Sequence, residues 1–336
     1  MRNLVEKILS GTDLTEAEAR ELLDHLTDPQ LDQLLAAAAL AGLRTKGETS
    51  DELRGFALGL RELAVRPDIA PDVRAIDIVG TGGDGSGSLN LSTGSALVAA
   101  GAGVPVIKHG SRSISSQSGS ADVLAALGMS VPWDEVKAGE VFDSSGFTFL
   151  FAPTFHPAMK SIAPVRKALG VRTIFNLAGP LANPATPPFY VIGVFSLEAA
   201  GMVAHTLAGM PMERALVVHG EPGWDEPTPV GPYQLFEVTP GSVVHTVEDP
   251  AEFGIPRCDP GDLAGADADF NATELRKVLA GELGPHRDAL ILGASLALRA
   301  TGQATDPIDA VSKAAAAIDS GSASALVDRL IETARV

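Results

Sequence analysis

Residues 76–122 constrain the fold of this chain more than any other stretch. They read IDIVGTGGDGSGSLNLSTGSALVAAGAGVPVIKHGSRSISSQSGSAD. An apolar run ends in a glycine-rich turn, a hydroxyl-rich segment opens a small-residue helix, and a second apolar run leads into Lys108-His109-Gly110-Ser111-Arg112. Strand, turn, helix and strand in that order form a βαβ unit, which requires a parallel sheet with helices laid on its faces.

The pattern continues along the chain. Strands are expected at 75–79, 104–107, 147–151, 189–195, 215–219 and 234–238. Helices are expected near 92–102, 118–128, 133–144, 197–209, 271–281, 287–301, 307–319 and 322–334. Such alternation predicts a large α/β domain with a doubly covered, mostly parallel sheet, whose ligands bind beyond the C-terminal strand ends. The glycine turn at 80–85, Lys108-His109 and the 220–226 loop all follow strands, so they are expected on one rim.

Residues 1–66 read as helices only. Thr15 with Glu18 and Thr49 with Glu52 fit the capping box. Leu22, Leu23 and Leu26, then Leu31, Leu34 and Leu35, give apolar faces, and Pro29 is expected near the start of the second helix. Residues 65–72, VRPDIAPD, form a proline-punctuated linker. The expected division is a small all-α domain over residues 1–70 and a large domain over 71–336. The segment 156–184 reads as helix, turn, helix, and its helices from about 160–183 are expected to join the small domain.

Charge excludes some partners. The formal net charge is −17, from 25 basic and 42 acidic residues. Nucleic acids and anionic membranes are held by clustered Lys and Arg, so neither is an expected partner. A phosphate site on this body must be a local pocket of N–H groups, hydroxyls and a few cations. The one cysteine, Cys258, allows no disulfide within the chain and suits a reducing compartment, the cytoplasm. The N-terminal MRNLVEKILSGTD has no apolar signal core, and the apolar run 34–43 is too short to span a bilayer.

Gly80, Gly82 and Gly85 form a literal G-x-G-x-x-G after a strand. A dinucleotide fold wants a carboxylate at the end of the next strand, where this chain has Lys108-His109; a nucleotide P-loop wants Gly-Lys-Ser/Thr, and the turn has no lysine. A phosphate or pyrophosphate cradle of another kind remains. Asp84 within it suits a ribose hydroxyl or water on a metal ion rather than a phosphate. Asn90, Ser92 and Thr93 at a helix start exceed what an ordinary N-cap needs and offer hydroxyls to an anion. Lys108, His109 and Arg112 are either a solvated basic turn or a site, and Ser115, Ser116, Ser118, Gly119 and Ser120 could complete an anion pocket. Asp225-Glu226 suits Mg²⁺, although acidic loops are common in so acidic a chain. Arg166 is either a surface arginine or a bidentate grip on a carboxylate. His156 could be an ordinary loop histidine.

Taken together, GTGGDG, NLST, KHGSRS, SGSAD, HPAMKSIAPVRKALGVRTIFNLAGPLANP and Asp225-Glu226, in that order, resemble the anthranilate phosphoribosyltransferase family over nearly the whole chain. The resemblance implies transfer of the phosphoribosyl group of phosphoribosyl pyrophosphate (PRPP) to the amine of anthranilate, in tryptophan biosynthesis. It also implies a large phosphoribosyl-binding domain, a Mg²⁺ requirement with two ions bound alongside PRPP, and a homodimer formed through the small domains. On the donor side it assigns Gly80, Gly82, Gly83, Asp84, Asn90, Ser92, Thr93, Lys108 and Ser118 to PRPP. It assigns Ser92, Asp225 and Glu226 to the metal. On the acceptor side it assigns Gly80, His109, Ser111, His156 and Arg166 to anthranilate, with Lys108 and His109 as the catalytic pair. The family usually has asparagine in place of Ser111, which here leaves a roomier acceptor pocket with fewer donors. Gln117 stands for a commonly basic residue, and Gly293 for a usual asparagine. The rival readings are a phosphoribosyltransferase for another aromatic acceptor and a pyrimidine nucleoside phosphorylase.

Overall fold

The computed structural model describes residues 1–112 and 117–334. Ser115 and Ser116 lie outside the described residues. Four helices open the chain: α1 (Arg2–Leu9), α2 (Glu16–Thr27), α3 (Gln33–Lys46) and α4 (Ser50–Glu62). Both capping boxes form. Thr15 and Thr49 accept the Glu18 and Glu52 amides at 3.3 Å each, and both glutamates accept the cap amides in return. Two expectations fail here. Pro29 lies in the α2–α3 connection, because Asp32 caps α3 and delays its start. Leu34 is 84% exposed, and α3 buries Ala36, Ala39, Leu40 and Leu43 instead.

The large domain begins with β1 (Ile76–Gly80), α5 (Leu91–Gly101), β2 (Val106–Gly110), α6 (Ser120–Ala126), α7 (Glu135–Ser145) and β3 (Phe147–Phe151). The helical excursion α8 (Ala152–Phe155), α9 (Ala163–Leu169) and α10 (Ile174–Leu181) follows. Then come β4 (Phe189–Gly193), α11 (Leu197–Ala208), β5 (Arg214–Gly220), β6 (Tyr233–Thr239) and β7 (Ser242–Glu248). The chain finishes with α12 (Ala268–Leu279), α13 (Pro285–Ala300), α14 (Pro307–Asp319) and α15 (Ser322–Ala334). The sheet runs β3-β2-β1-β4-β5-β6-β7, parallel from β3 to β5 and antiparallel at the last two pairings.

Side chains alternate between two cores, as the period of a strand requires. In β4, Phe189 and Val191 face one core, while Tyr190 and Ile192 face the other. In β5, Leu216 and Val218 oppose Ala215 and Val217 in the same way. The first core is closed by α5, α6, α7 and α12–α15. The second is closed by α11, and it continues without a break into α1–α4, α9 and α10. Phe56 of α4 meets Phe175 of α10 edge to face, with centroids 5.4 Å apart. The 156–184 segment is helical, as expected, and packs on the N-terminal bundle.

Candidate active site

Because β1, β2, β4 and β5 are parallel neighbours, their C-terminal ends share one edge. The glycine turn leaves β1 there, with Gly82 and Gly83 at φ 67° and 73°. This backbone region is costly for residues with a Cβ. The 221–226 loop folds back from β5 across the same edge. Asp225 accepts the Gly82 amide at 2.5 Å, and the Asp225 amide donates to Asp84 Oδ2 at 3.3 Å. Glycines at three strand ends admit this loop. A Cβ at Gly193 would lie 1.5 Å from the Asp225 carbonyl oxygen, one at Gly220 would lie 2.1 Å from that of Glu226, and one at Gly80 would lie 2.4 Å from Asp225 Oδ2.

Lys108 and His109 sit inside β2 rather than on a turn after it, because the strand runs on to Gly110. Adjacent strand residues point to opposite faces, so the two serve different sides of the sheet. Lys108 is fully buried, and its Nζ donates to the Ile78 carbonyl and, at 3.3 Å, to Ser92 Oγ. Burial lowers its pKa, against the attraction of Asp77, Glu226 and Asp225. The carboxylates are pushed up. Asp225 rises to about 7 through burial and the nearby Asp84, and Glu226 rises well above its ordinary value through burial and Asp225. The surplus of acid over base at Lys108 calls for an added cation when all are ionised. Among the described residues, no group of three or more His, Cys, Asp or Glu side chains could hold a metal ion on its own. A Mg²⁺ ion fits only if a ligand's oxygens complete its shell, the arrangement Mg²⁺ favours with phosphates.

At the start of α5, Asn90 does not cap the helix. Its amide donates to the Ser118 carbonyl at 3.0 Å, and its oxygen accepts from Ser118 Oγ at 3.2 Å and Asn271 Nδ2 at 2.9 Å. Ser118 is buried. The N-terminal amides of α5 are thus left without that side-chain cap. Thr93 Oγ1 is buried nearby with no hydrogen-bond partner among the described residues.

On the opposite face, His109 meets His156 edge to face at 5.1 Å. Burial lowers both imidazoles, His109 well below its ordinary value and His156 to about 4, so both are neutral at pH 7. Each leaves a buried Nε2 without a partner among the described residues. Arg166, on α9, lies 5.1 Å over the Phe175 ring and has no hydrogen-bond or ion-pair partner among the described residues. Burial lowers its pKa too. Ser111 is half-buried beyond β2, and its carbonyl accepts the Ala121 amide at 3.3 Å. Arg112 stands apart at the surface, 3.6 Å from Asp122.

Gly80, Gly82, Asp84, Ser92, Lys108, Asp225 and Glu226 are therefore gathered in one place, with Asn90 and Ser118 bonded beside it. His109 and His156 form a separate pair. Several side chains at this edge escape a reading of the sequence alone. Asp77, in β1, is fully buried, accepting the His109 amide at 3.2 Å and Asn183 Nδ2 at 2.8 Å. Burial raises it to about 6 against the pull of Lys108. A lone carboxylate in the apolar IDIV run was the available signal. Arg172, which donates to the Gly83 carbonyl, had none.

Two family models cover the chain. The helical bundle domain of a glycosyl transferase family matches residues 2–64, and the α/β domain of the same family matches residues 72–324. The anthranilate phosphoribosyltransferase of Desulforudis audaxviator is 44% identical over 332 residues, covering 99% of this chain and 96% of that protein. The chain belongs to the anthranilate phosphoribosyltransferase family. The enzyme of that name from Anaeromyxobacter dehalogenans strain 2CP-C is 45% identical over 336 residues, covering 100% of this chain and 99% of its own. Among solved structures, the anthranilate phosphoribosyltransferase of Thermus thermophilus superposes with a TM-score of 0.93 at 42% identity, over 99% of both chains. The Saccharomyces cerevisiae enzyme in complex with PRPP and Mg superposes with a TM-score of 0.89 at 25% identity, over 99% of this chain and 97% of that one.

Proposed function

We propose that this chain transfers the phosphoribosyl group of PRPP to the amine of anthranilate, with release of pyrophosphate, as a Mg²⁺-dependent step of tryptophan biosynthesis. The observation that carries this is the meeting of the glycine turn, Lys108 and the Asp225-Glu226 loop on one sheet edge. Relatives at 44–45% identity over almost the whole chain bear the same activity in their names. In this reading Gly80, Gly82, Gly83, Asp84, Asn90, Ser92, Thr93, Lys108 and Ser118 hold PRPP. Ser92, Asp225 and Glu226 would hold Mg²⁺, in this reading as two ions bound with PRPP. Bound Mg²⁺ offsets charge on the departing pyrophosphate.

The chain's own residues do the rest. The buried Lys108 ammonium, held by the Ile78 carbonyl, stands beside the leaving group, where charge develops in the transition state. The C1–oxygen bond to pyrophosphate breaks, the bond from nitrogen to C1 forms, and the proton the amine gives up passes to solvent water. An aromatic amine is already neutral near pH 7, so placement matters more than a strong base. Arg166 has a free guanidinium for the anthranilate carboxylate. The neutral rings of His109 and His156 present unpaired nitrogens to the acceptor without adding charge that would compete with Arg166.

The assignment extends to assembly and location. We infer a homodimer through the small domain, supported by the exposed Leu9 and Leu34 on α1 and α3. A division near residue 70 accords with the family matches ending at 64 and resuming at 72. No described helix is long and apolar enough to cross a membrane, and a single free cysteine suits the cytoplasm.

The deciding assay is the loss of anthranilate fluorescence with PRPP, with and without Mg²⁺. Mg²⁺-dependent loss with stoichiometric pyrophosphate is expected. Binding of PRPP without loss of anthranilate would reject this acceptor. It would favour the second reading, another aromatic acceptor admitted by the short side chain of Ser111.

A further inference from the structure

The second half of the glycine turn is held by its own side chains, the Ser86 amide and hydroxyl donating to Asp84 Oδ1 at 3.1 and 3.0 Å, while Gly82 and Gly83 have no such side chain to hold them. Gly82, Gly83, Gly85 and Gly87 all have positive φ, at 67°, 73°, 77° and 62°. Glycine-rich backbone loses the most conformational freedom on ordering, so contacts from outside must fix the Gly82-Gly83 half. The sheet side supplies several. Gly82 donates to Asp225, the Thr81 amide donates to the Gly193 carbonyl at 2.9 Å, and the Phe195 amide donates to Thr81 Oγ1 at 3.3 Å.

A contact from the helical segment comes from Arg172, in the turn between α9 and α10. Its Nη2 donates to the Gly83 carbonyl, and its guanidinium lies 3.9 Å over the Phe195 ring. A Cβ at Gly83 would be 3.5 Å from Arg172 Nε and 3.6 Å from Nη2, against 3.9 Å from Cζ, so this edge of the fork faces the turn. Arg172 is itself anchored, its carbonyl accepting Arg44 Nη1 of α3 at 2.5 Å. Phe195, Thr81, Gly83 and Arg172 thus close a ring of contacts around Gly82. Arg166 lies six residues before Arg172 on the same helical segment. A planar guanidinium can stack on a ring and donate in its own plane at once, which an ammonium cannot do.

We propose that Arg172 is a positioning residue of the donor site. It clasps the Gly83 carbonyl from the Phe195 platform, holds the glycine turn in its ligand-receiving shape, and ties that shape to the seating of the segment that bears Arg166. The inference rests on the assignment of the turn to PRPP, and Arg172 acts on the backbone of the turn rather than on reacting atoms.

Hydrogen exchange of the ligand-free protein tests the clasp without reference to any substrate. In Arg172→Ala, the amides of residues 82–87 should exchange about tenfold faster, the worth of one net charge-assisted hydrogen bond. The melting temperature should fall by only a few degrees, because Arg172 is exposed and the native state loses little beyond that bond. In the transferase assay, KM for PRPP should rise about fivefold to tenfold with kcat nearly unchanged. Arg172→Lys should recover part of this. Phe195→Leu should shift both readouts in the same direction and add little to Arg172→Ala. Unchanged exchange at 82–87 would overturn the clasp, as would a fall in kcat at constant KM or full additivity with Phe195→Leu. Absence of any PRPP turnover in the unaltered protein would strike the assigned reaction, while the exchange result would still decide the clasp.

Discussion

Asp225→Asn should make the ligand-free protein more stable and the enzyme worse. Asp225 is 7% exposed, and its carboxyl is raised from 3.8 to about 7 by burial and by Asp84. A carboxyl raised by folding carries no penalty below its unfolded pKa, where both states are protonated. As pH climbs from about 4 to about 7, the unfolded chain ionises first and the native state loses stability relative to it. Above that window the loss is complete, at about 4 kcal/mol from the full displacement. Asp84 and Glu226 relax when Asp225 loses its charge, so the gain from asparagine should be smaller, about 1–3 kcal/mol at pH 8. Asparagine keeps an oxygen for the Gly82 amide, so the turn retains its contact. Thermal melting of the two proteins without ligand, from pH 4 to pH 8, measures the effect. The melting temperatures should nearly coincide at pH 4 and separate by a few degrees in favour of the variant at pH 8. Saturating Mg²⁺ and PRPP should reverse the order, because a ligand at a hundred times its Kd adds about 2.7 kcal/mol to the protein that binds it. A variant no more stable than the unaltered protein at pH 8 would refute the argument that the carboxylate is a stored electrostatic strain awaiting a cation.

Arg166→Ala should raise the anthranilate KM about tenfold to a hundredfold, as loss of a bidentate carboxylate grip does, while the PRPP KM stays put; equal effects on both substrates would contradict its acceptor role. Gly193→Ala places a methyl group 1.5 Å from the Asp225 carbonyl oxygen and should displace the acidic loop. The expected loss is about 1–3 kcal/mol of stability together with a weakened Mg²⁺ response, read by melting and metal titration.

The parallel half of the sheet was legible because buried parallel strands are apolar runs, four of the five ended by glycine, and 147–151 appears unshifted as β3. Strand β7, SVVHTVE, was missed. It is an edge strand whose Val244 and Val247 are 55% and 58% exposed, so no buried face marks it in the sequence. The α3 face was misjudged because Leu34 looks like core material, while the small residues Ala36 and Ala39 are what the bundle admits. The glycine turn and the Asp225-Glu226 loop stood out by their glycines and charges. The basic residues of the KHGSR motif could not be sorted from sequence. Burial of Lys108 and exposure of Arg112 depend on how far β2 extends, which its pairing with β3 decides. Asp77, Asn183 and Arg172 act through partners 32 to 106 residues away, at distances the local pattern does not encode.

Leu22, Leu23 and Phe56 of the N-terminal helices share one apolar layer with Val217 and Phe236 of the sheet. Swinging these bodies apart would wet that layer, at about 25 cal/mol for each Å² exposed. Packed layers of this kind move by sliding, with side chains exchanging neighbours over small distances. Residues 65–72 therefore serve as a tether and not as a pivot, for Val65 and Asp68 are themselves fastened to Phe155 and Glu135. Any motion that admits substrate is a slip along greasy ground, with the 156–184 segment as its slide.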